Sequence, residues 1–228
     1  MKRVHITVAI AIAGAALVTH GVLAQKPAPR DLAALIQAGE TKAAMEQINS
    51  GADVNKAQPD GTTPLIWAAN RGETEIAEAL IAKKADVNAV NEFGSMPLTE
   101  AARKANGRLV KALLAAGAKA DSANPDGETA LMMAISAGDA TSVEALINAG
   151  ANVNTIEKFH NQTPLMYASA STRNAGQIVK LLLSKGAKGD MRSLYSDWPS
   201  QITSEPRTQY RPVGGLTALL YATRSGCY

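Results

Sequence analysis

The segments TPLIWAA (63–69), MPLTEAA (96–102), TALMMAI (129–135), TPLMYAS (163–169) and TALLYAT (217–223) align with one another, and their first residues lie 33, 33, 34 and 54 apart. A second set alternates with them: GADVN (51–55), KADVN (84–88), GAKAD (117–121), GANVN (150–154) and GAKGD (186–190). Between the two sets lie amphipathic stretches such as TEIAEALIA (74–82), GRLVKALLA (107–115) and GQIVKLLLS (176–184). A unit this short cannot bury both of its faces alone. A chain built of such units gains its stability by stacking each on the next, so the period constrains the fold more than composition does.

The residues within one period predict an all-α unit. Thr63 and Thr163 precede Pro64 and Pro164, an N-cap hydroxyl followed by proline at the first helical position. The first helix is short, because Gly72 and Gly138 interrupt it about two turns later. In the second helix Ile76, Ala79 and Leu80, and one period on Leu109, Ala112 and Leu113, fall on one face. Gly51, Gly117, Gly150 and Gly186 stand where the helix end needs a left-handed residue. The pairs Asp60-Gly61 and Asp126-Gly127 read as turns that project between units. Ala68, Ala69, Ala101 and Ala102 are small enough for neighbouring helices to stack closely.

The combination of Gly-x-Thr-Pro-Leu and Gly-Ala-Asp-Val-Asn at this period resembles the ankyrin repeat, over residues 31–228. The resemblance implies a solenoid of helix-turn-helix units with projecting β-turns or hairpins and one long loop insertion. The sequence departs from the pattern in places. Lys84 takes a capping-glycine position, at a cost of about 1 kcal/mol if the left-handed geometry is kept. Met96 replaces the N-capping threonine, with Ser95 as a candidate substitute. The histidine common after Thr-Pro-Leu is absent; Ile66, Thr99, Met132, Met166 and Leu220 stand there.

The first residues carry a different signal. Lys2 and Arg3 precede the apolar run Ile6 to Val18, and Val22-Leu23-Ala24 supplies a cleavage site, the pattern of a secretory leader. A helix over that run would reach only ~20 Å, against a hydrocarbon core of ~30 Å, so no span is expected after cleavage. No cysteine follows the run and Lys2-Arg3 is not an arginine pair, so neither lipid anchoring nor the twin-arginine route is indicated. Removing residues 1–24 takes away Lys2, Arg3 and no acidic residue, so the formal charge falls from +3 to +1. His5 and His20 leave as well, so His160 is the only histidine in the mature chain. With Cys227 as the single cysteine, this near-neutral chain suits neither nucleic-acid binding nor a histidine-dependent triad. A periplasmic or secreted location follows from the leader.

The expected organisation is a leader over 1–24, a linker over 25–30 and an N-terminal capping repeat over 31–57. Repeats follow over 58–90, 91–123, 124–157 and 158–190, then a loop insertion over 191–214 and an incomplete repeat over 215–228. The region Ser171–Ala175 carries two extra residues. The insertion contains Tyr195, Trp198 and Tyr210 with three prolines and no sustained periodicity, which reads as extended chain. The last repeat stops where its outer helix should begin, so further repeats are expected beyond Tyr228.

The resemblance implies a concave face that binds another protein. Carried over residue by residue, it points to Asn70, Arg71, Arg103, Lys104, Ser136 and Ala137 on the inner helices. On the turns it points to Asp60, Thr62, Glu92, Phe93, Ser95, Asp126, Glu128, Phe159 and His160. Each Phe either packs sideways on the next turn or is offered to a partner. Arg71, Arg103 and Lys104 form either a basic strip of the binding face or a solvated charged face. Aromatic and arginine residues in 191–214 have the composition of interface hot spots. No cofactor or metal is indicated: the turns lack the closing Glu of a calcium loop, and Gly214-Gly215 does not follow a strand. Acidic turn residues recur because the repeat needs them as caps, so no catalytic pair is assigned.

The expected function is non-catalytic protein binding by an exported scaffold or accessory protein. The layout is similar to that of small exported bacterial ankyrin proteins, some of them accessory factors in peroxide defence. Two alternatives stay open: an inhibitor or immunity-type protein that blocks a secreted or periplasmic enzyme, and the binding part of a longer, enzyme-containing chain.

Overall fold

The computed structural model describes residues 31–171, 173–194 and 215–224. The helices come in pairs: α1 (Leu32–Ala38) with α2 (Thr41–Asn49), α3 (Pro64–Arg71) with α4 (Thr74–Ala82) and α5 (Pro97–Arg103) with α6 (Gly107–Ala115). They continue with α7 (Ala130–Ala137) and α8 (Ala140–Asn148), then α9 (Pro164–Ala170) and α10 (Ala175–Ser184), and end in α11 (Ala218–Arg224). Odd-numbered helices pack on one another along one layer, and even-numbered helices α2 to α10 form the second. Among the described residues there is no strand. The predicted projections are turns, with a single antiparallel bridge, Ala123 to Thr129, at the base of one.

Each inner helix starts as its sequence dictates, with one exception. The hydroxyls of Thr63, Thr129 and Thr163 accept from the backbone N–H groups of Ile66, Met132 and Met166 at 3.3, 3.4 and 3.3 Å. At α5 the expected substitute, Ser95, does not take this role. Its oxygen sits one residue too early to reach the first-turn amides. Thr99, three residues into the helix, folds back instead: its hydroxyl accepts from the Met96 N–H at 3.2 Å and donates to the Met96 carbonyl at 2.9 Å. The same reciprocal logic operates in a capping box.

The helix ends follow equally local rules. Gly72 and Gly138 close α3 and α7 with φ of +74° and +70°, and Ala105 takes the corresponding place after α5 with φ +54°. Lys84 keeps the left-handed geometry, φ +68°, that the glycines use elsewhere. The two extra residues of the fifth pair are divided. One lengthens the turn over 171–174, and the other extends α10 to ten residues where α4, α6 and α8 have nine.

The core is aliphatic and repeats with the helices. Leu65, Leu98, Leu131 and Leu165 each occupy the second position of an inner helix and are buried. Ala68, Ala101, Ala134 and Ala168 occupy the fifth and are fully buried, which lets the inner helices approach one another. Leu80, Leu113, Leu146 and Leu182 do the same work in the outer layer. Each such leucine contributes roughly 1.5–3 kcal/mol by leaving water. Ser142 stands in the slot of Ile76, Leu109 and Ile178. It is fully buried, and its hydroxyl donates to the Asp139 carboxylate, so the polar group is satisfied.

An asparagine strap joins successive pairs behind the turns. Asn55 accepts the Asp86 N–H at 2.8 Å and donates to the Lys84 carbonyl at 3.4 Å. Asn88 repeats this with Lys119 and Gly117, and Asn154 with Lys188 and Gly186. At the remaining step the residue is Asp121, which accepts the Asn152 N–H but has no amide to donate.

Candidate binding groove

The fourth residue of successive inner helices is Trp67, Glu100, Met133, Tyr167 and Tyr221. This position varies while the leucine and alanine beside it repeat, and three of its side chains, Trp67, Tyr167 and Tyr221, bond to turn residues across a groove. The Trp67 indole N–H donates to Gln58 Oε1 at 2.8 Å, which fixes the ring against its own turn. Glu100 is 4% exposed and is held by the Asn70 amide at 2.8 Å and by the Arg103 guanidinium. The Tyr167 hydroxyl donates to Glu128 Oε1 at 3.1 Å, and the Tyr221 hydroxyl accepts from Gln162 Nε2 at 2.7 Å. Burial, then the charge and hydrogen bond of Glu128, push the Tyr167 hydroxyl well above the usual tyrosine range. It therefore stays a neutral donor at any physiological pH.

The turns are linked to one another by backbone bonds at their tips. The Glu92 N–H reaches the Asp60 carbonyl at 2.9 Å, the Lys158 N–H reaches Asp126 at 2.8 Å, and the Leu194 N–H reaches His160 at 2.6 Å. The step from Phe93 to the next turn has proline at the donor position. Pro125 has no N–H to give, and its ring lies over Gly94 instead. A Cβ built on Gly94 would sit 2.1 Å from Pro125 Cδ, and Gly94 has φ +74°, so the position needs glycine twice over. The fourth turn, Glu157 to Gln162, carries the residue that stretches one spacing from 33 to 34. Buried Glu157 organises it by accepting the N–H groups of Phe159, His160 and Gln162 at 2.8, 2.8 and 2.9 Å.

Among the described residues, clefts open along this groove at two places. One, of about 200 Å³, lies between Phe93 on its turn, Asn124 and Glu128 on the next, and Glu100, Arg103 and Met133 on the helices. The other, of about 430 Å³, is bounded by Ser136, Gln162, Met166, Tyr167, Arg173 and Tyr221.

The candidates read from the sequence fall into five groups. Phe93 and Arg103 come together on the smaller cleft, and Phe93 is 72% exposed, so it does not pack sideways on the next turn. Phe159 is 65% exposed and pairs with His160 at the fourth turn, their ring centroids 6.4 Å apart. Arg71, Arg103 and Lys104 do not form an open basic strip. Arg71 donates to the Gln37 carbonyl at 3.2 Å and lies 3.8 Å from Glu73, while Asn70 and Arg103 are both tied to Glu100; Lys104 is exposed at the end of α5. Glu92 is exposed at its tip with its N–H committed to Asp60. Tyr195, Trp198 and Tyr210 lie outside the described residues.

Trp67, Glu100, Met133, Tyr167 and Tyr221 escaped the residue-by-residue reading. The aligned segments carry a signal for them: the leucine and alanine columns of the core repeat, and this column between them varies. A position that the scaffold does not dictate is free for recognition.

A two-layer helical solenoid with a varied inner stripe and clefts between its turns defines a binding array. Its family is shown by comparison: the model for ankyrin repeats, three copies long, matches residues 32–124 and 98–193, more than half of the chain, so the protein belongs to the ankyrin-repeat family. Ankyrin repeats are generally protein–protein interaction modules and their domains are typically non-catalytic. Among curated proteins, none matches the sequence. No helix among the described residues is long and apolar enough to cross a membrane.

Proposed function

We propose that this chain is a non-catalytic protein-binding module that takes one partner along the inner groove. The observation that carries the reading is the fourth-residue stripe. A tryptophan, a glutamate, a methionine and two tyrosines stand at one place on a scaffold whose core repeats, and two clefts take in four of them. Export, and the bacterial setting that the layout suggests, rest on the leader pattern of Lys2, Arg3, Ile6 to Val18 and Val22-Leu23-Ala24. A mature N-terminus at Gln25 in a periplasmic or secreted fraction is the expected outcome.

Affinity purification from the source cell tests the groove, using the native chain and a Met133→Ala/Tyr167→Ala double variant. One stoichiometric partner should be retained by the first and lost by the second. A partner held equally by both would sink the reading. If that partner is an enzyme whose turnover stops on binding, the protein is an inhibitor rather than a scaffold.

A further inference from the structure

The smaller cleft has a chemistry found at no other step of the described groove. Its turn-side wall is Glu128, at a position occupied by Thr62, Ser95, Gln162 and Leu216 in the other repeats. The Glu128 carboxylate accepts from Asn124 Nδ2 and from the Tyr167 hydroxyl, each at 3.1 Å, and both donors are neutral. Among the described residues no salt bridge reaches it. The other carboxylate of the cleft, Glu100, is neutralised by Arg103, so the cleft retains one net negative charge. A carboxylate with two neutral donors still has acceptor capacity left. The same cleft is lined by the exposed Phe93 ring and the half-buried Met133, an apolar pair suited to an alkyl stem and, at the ring face, to a cation.

We infer that this cleft takes a single arginine or lysine side chain from an extended segment of the partner protein, with its stem against Phe93 and Met133 and its cationic head on Glu128. The inference rests on the groove reading above and adds the chemistry of one contact. Pro125 marks the place: the absent tip-to-tip bond leaves the turns of Phe93 and Glu128 without the N–H that links the other turns. An anionic occupant would have to meet Glu128 uncompensated while Arg103 is already committed to Glu100.

Random heptapeptides panned on the purified full chain supply the probe. Recovered peptides should carry Arg or Lys. The best of them should lose at least ten-fold in affinity on Glu128→Gln and about three-fold on Phe93→Ala. Glu144→Gln on the outer helix α8 should change nothing. Glutamine keeps one oxygen for Asn124 Nδ2 and can donate its amide N–H to the Tyr167 hydroxyl oxygen, and an unchanged thermal melt of Glu128→Gln confirms that charge alone was removed. Recovery of no peptide, of peptides without a cationic residue, or an affinity indifferent to Glu128→Gln overturns the inference. If such peptides still lose affinity on Met133→Ala or Tyr167→Ala, the groove reading survives and only the cation is wrong. If no groove substitution matters, both fail.

Discussion

Two ladders run along this stack, one behind the turns and one across their tips. The rear ladder is made by side chains: Asn55, Asn88 and Asn154 each accept an N–H from the next helix pair and donate to one of its carbonyls. The tip ladder is made by backbone: the carbonyls of Asp60, Asp126 and His160 take the N–H groups of Glu92, Lys158 and Leu194. Each has one defective step, and the defects differ in kind. Asp121 keeps half of its strap, because a carboxylate still accepts. Pro125 removes its rung outright, because a backbone donor is either present or absent. A side-chain ladder degrades by parts while a backbone ladder is interrupted, and the interruption is where the groove opens between Phe93 and Glu128.

The largest expected effect sits at the interruption. Gly94→Ala meets a left-handed φ, costing about 1 kcal/mol, and an overlap with the Pro125 ring, costing about 1–3 kcal/mol more. Urea unfolding should show both, and in a Pro125→Ala background only the first should remain. Equal losses in the two backgrounds would mean that the proline contact is not what demands glycine.

Asn88→Ala removes both bonds of a rear strap and should cost about 1–2 kcal/mol, with Asn88→Asp costing about half as much because acceptance survives. If aspartate costs as much as alanine, the strap acts through its amide alone. The reverse change, Asp121→Asn, gives the Gly150 carbonyl a donor and should stabilise by about 0.5–1 kcal/mol in the same assay. Smallest is Lys84→Gly, beside the carbonyl that Asn55 uses. Relief of a positive φ, worth about 1 kcal/mol, is largely offset by the entropy that glycine loses on folding, leaving a gain of a few tenths at most. A loss there would show that the lysine side chain contributes packing.

Much of this was readable in the sequence because it depends on residues close in the chain. Thr63, Thr129 and Thr163 act on amides three residues away, and the glycines after the helices answer a local need for positive φ. The cap of α5 was less legible, since Ser95 offers a hydroxyl beside Met96 while Thr99 has the reach. Whether Arg71, Arg103 and Lys104 make a binding strip or a solvated face is not legible in the sequence, because composition shows the arginines but not the acceptors beside them, which packing supplies from Gln37, Glu73 and Glu100. The Phe93 exposure, the division of the two extra residues and the pairing of Glu128 with Tyr167 all join separate turns or helices, and no spacing rule reaches that far.

The central claim is that the inner groove, and not the outer layer, meets the partner. A photo-reactive side chain placed at Ser136, exposed on the larger cleft, and separately at Lys111, exposed on α6, tests it in the cell that makes the protein. The account predicts one discrete cross-linked protein from position 136 and none of it from position 111. The same protein captured from position 111 and not from 136 would contradict it.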